Sequence, residues 1–168
     1  MGKAPDYRTI VVGTDGSPLA APTVTRAAWL AARADADLVI VCAYAELSRR
    51  QEARNVATLG DSRVGRVPGR DTASAAVASA VALAREQGAT IAAALMADGD
   101  PASTLLSTVR DRAADLLVVG ALRDPGIADR LLGTVAAEVV RRADCEVLIV
   151  RLPHGAPGHH APRETPPA

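Results

Sequence analysis

The sequence predicts a doubly wound, five-stranded parallel sheet with helices on both faces. Three observations lead there. Five short apolar runs recur along the chain, most of them without polar alternation, as strands buried on both faces should be. A stretch of helical periodicity separates each run from the next, and right-handed crossovers then place helices on both sides of the sheet. The length, 168 residues, is that of one domain, and a hydrophobic fraction of 49% supplies a sizeable core.

The first run is Thr9–Gly13 (TIVVG), followed by a helical pattern over 18–34. Ser17 is a fitting N-cap and Pro18 suits the first helical position. Pro22 lies inside this helix and is expected to remove one ladder bond and distort the first turn. Val24, Ala27, Ala28 and Ala31 share one face, which turns Trp29 away toward solvent or a contact. The second run, 38–43 (LVIVCA), leads into a long polar connection over 45–70, a length usually associated with function or mobility, whose arginines read as a solvated loop or, alternatively, as a lid over bound phosphates. A helix over 71–87 follows, with Val77, Ala80, Val81 and Ala84 on one side and Gly88 as its C′ residue. The third run is 90–96; Asp100 and Pro101 then cap and open a helix carrying Leu105, Leu106 and Val109. The fourth run is Leu116–Gly120 and the fifth Glu146–Val150, separated by a helix over 127–142. Arg141 and Arg142 close that helix, where its dipole favours cations. The ordered domain is expected over 7–152, with a disordered Pro-, Gly- and His-rich tail over 153–168.

The composition excludes several classes. A formal net charge of zero gives no argument for a nucleic-acid or anionic-membrane partner. No stretch has the length of a membrane span, and the N-terminus lacks the apolar region of a signal peptide. Cys42 and Cys145 are far apart in apolar runs and read as reduced thiols of a cytoplasmic protein, with no metal site. His154, His159 and His160 read as part of a solvated tail.

Ligands of open α/β sheets bind beyond the strand carboxyl ends, at the switch point in strand order. After the first strand comes Gly13-Thr14-Asp15-Gly16-Ser17. Asp15 there is either an acceptor for a ligand or a cap for the first helix; spacing alone leaves both open. After the fourth strand, Gly120 opens a loop with Arg123, Asp124 and Gly126, and Gly133-Thr134 follow inside the helical pattern. A helix-interior glycine costs about 1 kcal/mol against alanine, so Gly133 needs a reason. Either a ligand approaches the backbone or the helix begins there. Neither a Walker A loop nor G-x-G-x-x-G occurs. Asp98 and Asp100 read as turn and cap residues, and no Ser-His-Asp or Cys-His grouping is evident.

In order and spacing, VVGTDGS at 11–17, DGDPASTLL at 98–106, DLLVVG at 115–120 and RLLGTVAAEVVRRADCEVLIV at 130–150 resemble the universal stress protein family. The resemblance runs from Tyr7 to Leu152. It implies the adenine-nucleotide α-hydrolase-like, Rossmann-like variant of the sheet. The nucleotide-binding branch carries G-x2-G-x9-G-S/T. Gly120 matches the first glycine, Gly133 and Thr134 match the last pair, and Arg123 stands where the second glycine is expected. The resemblance further implies Thr14 and Asp15 near the base and ribose, with Gly13 among the binding residues, and the Ala43 backbone at the adenine edge. Val119, Gly120, Val135 and Ala136 match further lining positions. The ligand implied is ATP or cyclic AMP, with or without magnesium, and the partner a second copy joined through Glu146–Val150. Three alternatives remain: a dimeric interaction module that has lost nucleotide binding, motivated by Arg123; a slow ATPase, for which Asp124 or Asp129 would have to supply the chemistry; and a flavin or nucleotidyl-transfer relative of the same topology.

Overall fold

The structure, a computed structural model, describes residues 6–45, 69–121 and 132–151. Most of the long connection, Arg123 with its loop, and the expected tail over 153–168 lie outside the described residues. The strands are β1 (Thr9–Gly13), β2 (Asp37–Tyr44), β3 (Thr90–Asp98), β4 (Leu116–Gly120) and β5 (Glu146–Val150). They alternate with α1 (Ala20–Ala34), α2 (Arg70–Glu86), α3 (Pro101–Asp111) and α4 (Thr134–Arg142). The sheet is parallel throughout, in the order β3-β2-β1-β4-β5. The chain leaves β1 first toward β2 and later returns to its other side as β4, so the switch point lies between β1 and β4.

Each face of the sheet has its own core. Ile10, Val12, Leu38, Ile40, Leu116 and Val118 pack against Val24, Ala27, Ala28 and Ala31 of α1 and Ala80 and Ala84 of α2. Val11, Val39, Val41, Leu117 and Val119 face the other way, against Leu105, Leu106 and Val109 of α3 and Ala136 and Val139 of α4. The alternation of odd and even strand residues between two buried faces is why these runs lack polar positions. It holds for β1, β2 and β4. The outer strands β3 and β5 contain no fully buried residue, since each is flanked by a sheet neighbour on one side only.

Local chemistry sets the element ends, in part differently from expectation. Asp100 caps α3, its carboxylate accepting from the Ser103 N–H at 2.9 Å, with Pro101 following. Gly88 after α2 has φ +76°, the left-handed conformation a C′ glycine provides at no steric cost. The first helix, however, starts at Ala20, with Leu19 and not Ser17 at its N-cap and no side-chain cap bond. Its first intrahelical bond runs from the Thr23 N–H to the Leu19 carbonyl. Pro22 therefore falls in the first turn, where its missing N–H takes no bond from the ladder. Trp29 is 40% exposed as its helical position requires, with the guanidinium carbons of Arg33 and Arg26 at 4.9 and 5.8 Å from its ring centre.

At the amino end of the sheet Asp115 ties β4 to β1, its Oδ2 accepting from the N–H groups of Arg8 at 2.7 Å and Thr9 at 2.9 Å. Those two bonds favour the carboxylate and hold its pKa below the usual aspartate value. A lowered folded-state pKa means stability present above the unfolded-state value and lost as pH falls through the folded one. Asp115→Asn should accordingly cost about 1 kcal/mol at neutral pH, a solvent-screened pair of charged hydrogen bonds. Denaturant unfolding of both proteins should show that gap closing as pH falls through the carboxylate range; a gap independent of pH would refute the assignment.

Candidate functional site

The carboxyl ends of β1 and β4 lie side by side. Val12 is in register with Val118, which sets Gly13 beside Val119. A Cβ on Gly13 would stand 3.7 Å from Val119 Cγ1 and 3.2 Å from both methyls of Leu105, so the glycine lets α3 approach the strand end. The Thr14 N–H continues the ladder with a 2.9 Å bond to the Val41 carbonyl, and its side chain is buried. Asp15 then forms a turn, Oδ1 accepting from the Ser17 N–H at 2.9 Å, while Gly16 takes φ +71°. The capping alternative for this segment is met only in that local sense: neither the Asp15 nor the Ser17 side chain caps α1.

The end of β4 is joined to the start of α4. The Ala121 N–H donates to the Val150 carbonyl at 2.8 Å, and the Ala121 carbonyl accepts from the Gly133 N–H at 2.7 Å. Gly133 is the N-cap of α4, with φ −63° and ψ 162° and no side-chain cap bond. Of the helix expected over 127–142, residues 127–131 lie outside the described residues; the described helix is Thr134–Arg142, and Gly133 is not interior to it. Its first intrahelical bond runs from Ala137 to the Gly133 carbonyl. The N–H groups of Thr134, Val135 and Ala136 therefore have no partner within the helix, as in the first turn of any α-helix. They start from the end of β4, where the dipole and the N–H groups favour an anion.

Of the other expected residues, Ala43 is buried near the end of β2 and Val119 and Ala136 are buried in the α3–α4 core, so their side chains can form only the floor of a site. Val135 is half-buried and Thr134 exposed. Arg123 lies outside the described residues. Gly120 has a packing role that spacing does not reveal: a Cβ there would lie 2.9 Å from Leu19 Cδ2 and 3.2 Å from Thr23 Oγ1. Tyr44 and Arg70 also reach this edge; the sequence does not single out Tyr44, and it shows Arg70 only as one of the arginines of the polar connection. Tyr44 ends β2 one residue beyond the apolar run, and Arg70 opens α2 where the sequence shows only the end of a polar connection. Among the described residues no group of three or more His, Cys, Asp or Glu could hold a metal ion.

A parallel, doubly wound sheet with a helix N-terminus at its switch point defines an open α/β domain of the Rossmann-like class, whose ligands bind at that edge. The chain belongs to the universal stress protein family, whose model matches residues 6–151. It is 40% identical over 144 residues to the universal stress protein Rv1636 of Mycobacterium tuberculosis, covering 86% of this chain and 96% of that protein. A universal stress protein crystallised in complex with cAMP superposes with a TM-score of 0.65 at 35% identity, covering 88% of this chain and 99% of the other. The Archaeoglobus fulgidus universal stress protein in complex with dAMP, at 18% identity and a TM-score of 0.61, shares the fold, with coverage of 88% and 100%.

Proposed function

We propose that this domain binds an adenine nucleotide, ATP or cyclic AMP, across the β1–β4 switch point, and serves a regulatory or stress-response role in the cytoplasm. One observation carries the reading: the N-terminus of α4, whose N-cap Gly133 has no side chain to cap it, is fixed to the end of β4 by the Gly133–Ala121 bond, at the same sheet edge as the Thr14–Asp15 turn. In this reading the N–H groups of Thr134, Val135 and Ala136 and the Thr134 hydroxyl hold phosphate oxygens. Thr14 and Asp15 contact the ribose and base, the Ala43 backbone meets the adenine edge, and Gly13, Val119 and Gly120 form the floor. The relative crystallised with cAMP supports an adenine ligand. Calorimetric titration of nucleotide-stripped protein with ATP and with cyclic AMP, each with and without magnesium, tests it. Saturation near one ligand per chain is the expected result.

The second reading, an interaction module without nucleotide, is favoured by Arg123 in place of the motif glycine. Titrations flat for both ligands would select it. In either reading we propose that two copies pair through β5. Among the described residues that strand bonds only to β4 within the sheet. Its α1 side opens into a groove lined by Leu30, Leu148 and Val150, with Arg26, Glu146 and Arg151 also on its walls. An open, partly apolar edge is a liability that pairing removes. The groove runs along the flank of the sheet, from Tyr7 and Glu146 at the amino end of β5 to Val150 and Arg151 at its carboxyl end. Sedimentation as a dimer is expected; a monomer at micromolar concentration would refute the pairing.

A further inference from the structure

The carboxyl edge of the sheet carries a second feature beside the β1–β4 crevice. Tyr44, the last residue of β2, is half-buried on the α2 side with Cys42, Ala73 and Ala76. Its carbonyl accepts from the Gly99 N–H at 2.9 Å, which fixes the strand end. Arg70 is the first residue of α2, and its guanidinium carbon lies 5.9 Å from the centre of the Tyr44 ring. Less than two turns further along, α2 meets the β1 turn, since a Cβ on Gly16 would stand 3.2 Å from the Ala76 Cβ. Arg70 and the Thr14–Asp15 turn therefore border the same edge, with Tyr44 adjoining Ala43 in the chain.

The helix dipole does not favour an arginine at this position. A cation in the first turn opposes the helix dipole, and the arginine is exposed, so burial of its stem contributes little. What the position does provide is a planar cation over an aromatic ring at the rim of the site. A guanidinium plane stacks on a purine face as readily as on tyrosine. Resting on the nucleotide reading above, we propose that Arg70, braced by Tyr44, closes the base side of the site and stacks on the adenine ring. The phosphates, by that reading, lie at α4.

Adenosine separates this role from a phosphate contact, because it carries the base and no phosphate. Titrations of adenosine, cyclic AMP and ATP into the full chain and into its Arg70→Ala and Arg70→Lys variants test the proposal. Arg70→Ala should weaken all three ligands by a similar factor, roughly three- to tenfold. Arg70→Lys keeps the charge without the plane and should recover little of that loss. Arg70 is exposed, so both variants should keep the wild-type melting temperature within about 1–2 °C. Loss of ATP affinity with adenosine unchanged would place Arg70 at the phosphates and overturn the proposal. So would full recovery in Arg70→Lys, or wild-type affinity in Arg70→Ala. Failure of the wild-type chain to bind any of the three ligands would overturn the nucleotide reading itself and this inference with it, a result distinct from the other three.

Discussion

Gly133→Glu should lower the affinity for ATP or cyclic AMP by roughly 100-fold or more while the fold survives. The two halves of that expectation have separate causes. The backbone at Gly133 has φ −63° and ψ 162°, a conformation open to any L-residue. Glycine is a good N-cap and glutamate a poorer one, so the substitution costs about 1 kcal/mol of helix stability at most. Binding suffers far more. A carboxylate at the N-cap stands where the phosphate is expected, satisfies the N–H groups of the first turn of α4, and repels the ligand's charge. Gly133→Ala separates bulk from charge: it should lose tenfold or less, because a methyl group neither repels an anion nor competes for those donors. Calorimetric titration of both variants, with circular dichroism as the check on folding, decides the matter. Undiminished affinity in a folded Gly133→Glu protein would remove α4 from the site.

The fold was legible because burial on two faces leaves an unbroken apolar run, and three strands, Thr9–Gly13, Leu116–Gly120 and Glu146–Val150, begin and end where those runs do. The ladders of β2 and β3 continue into Asp37, Tyr44 and Asp98, so hydrogen bonding outlasts hydrophobicity there and the runs read short. The start of α1 was misplaced for a related reason. Ser17 and Pro18 have the composition of a helix start, but the left-handed Gly16 and a turn from the Ser17 carbonyl to the Ala20 N–H delay the helix. Gly133 was legible as an anomaly with two explanations, and the helix boundary is one of them. Strand order was not legible from periodicity at all. That β1 and β4 are neighbours, which creates the crevice, follows from pairings between residues about a hundred positions apart. The helix start was legible to within one residue, at 71 against Arg70, but the approach of Arg70 to the Tyr44 ring was not, because the two are joined by packing across 26 positions of chain.

Gly120 shows how far a family motif can mislead about cause. It matches the first motif glycine, which invites the reading that a ligand needs its bare backbone. The packing beneath it is sufficient reason by itself. A Cβ at Gly120 would come within 2.9 Å of Leu19 Cδ2 and 3.0 Å of Leu19 Cγ, and Leu19 is only 7% exposed. Thr23 crowds the same point at 3.2 Å through Oγ1, which is itself engaged with the Leu19 carbonyl at 2.6 Å. Neither neighbour retreats freely, so Gly120→Ala should destabilise the domain by about 1–3 kcal/mol through overpacking alone. Leu19→Ala by itself should cost about 2–5 kcal/mol as a cavity. Together the two should cost clearly less than their sum, since the added methyl fills part of the space the shortened side chain vacates. Urea unfolding of the four proteins in the absence of nucleotide measures that coupling. Strict additivity would show that Leu19 is not what excludes a side chain at position 120. A coupling of 1 kcal/mol or more, with no ligand present, would establish that the fold demands this glycine whether or not a nucleotide does.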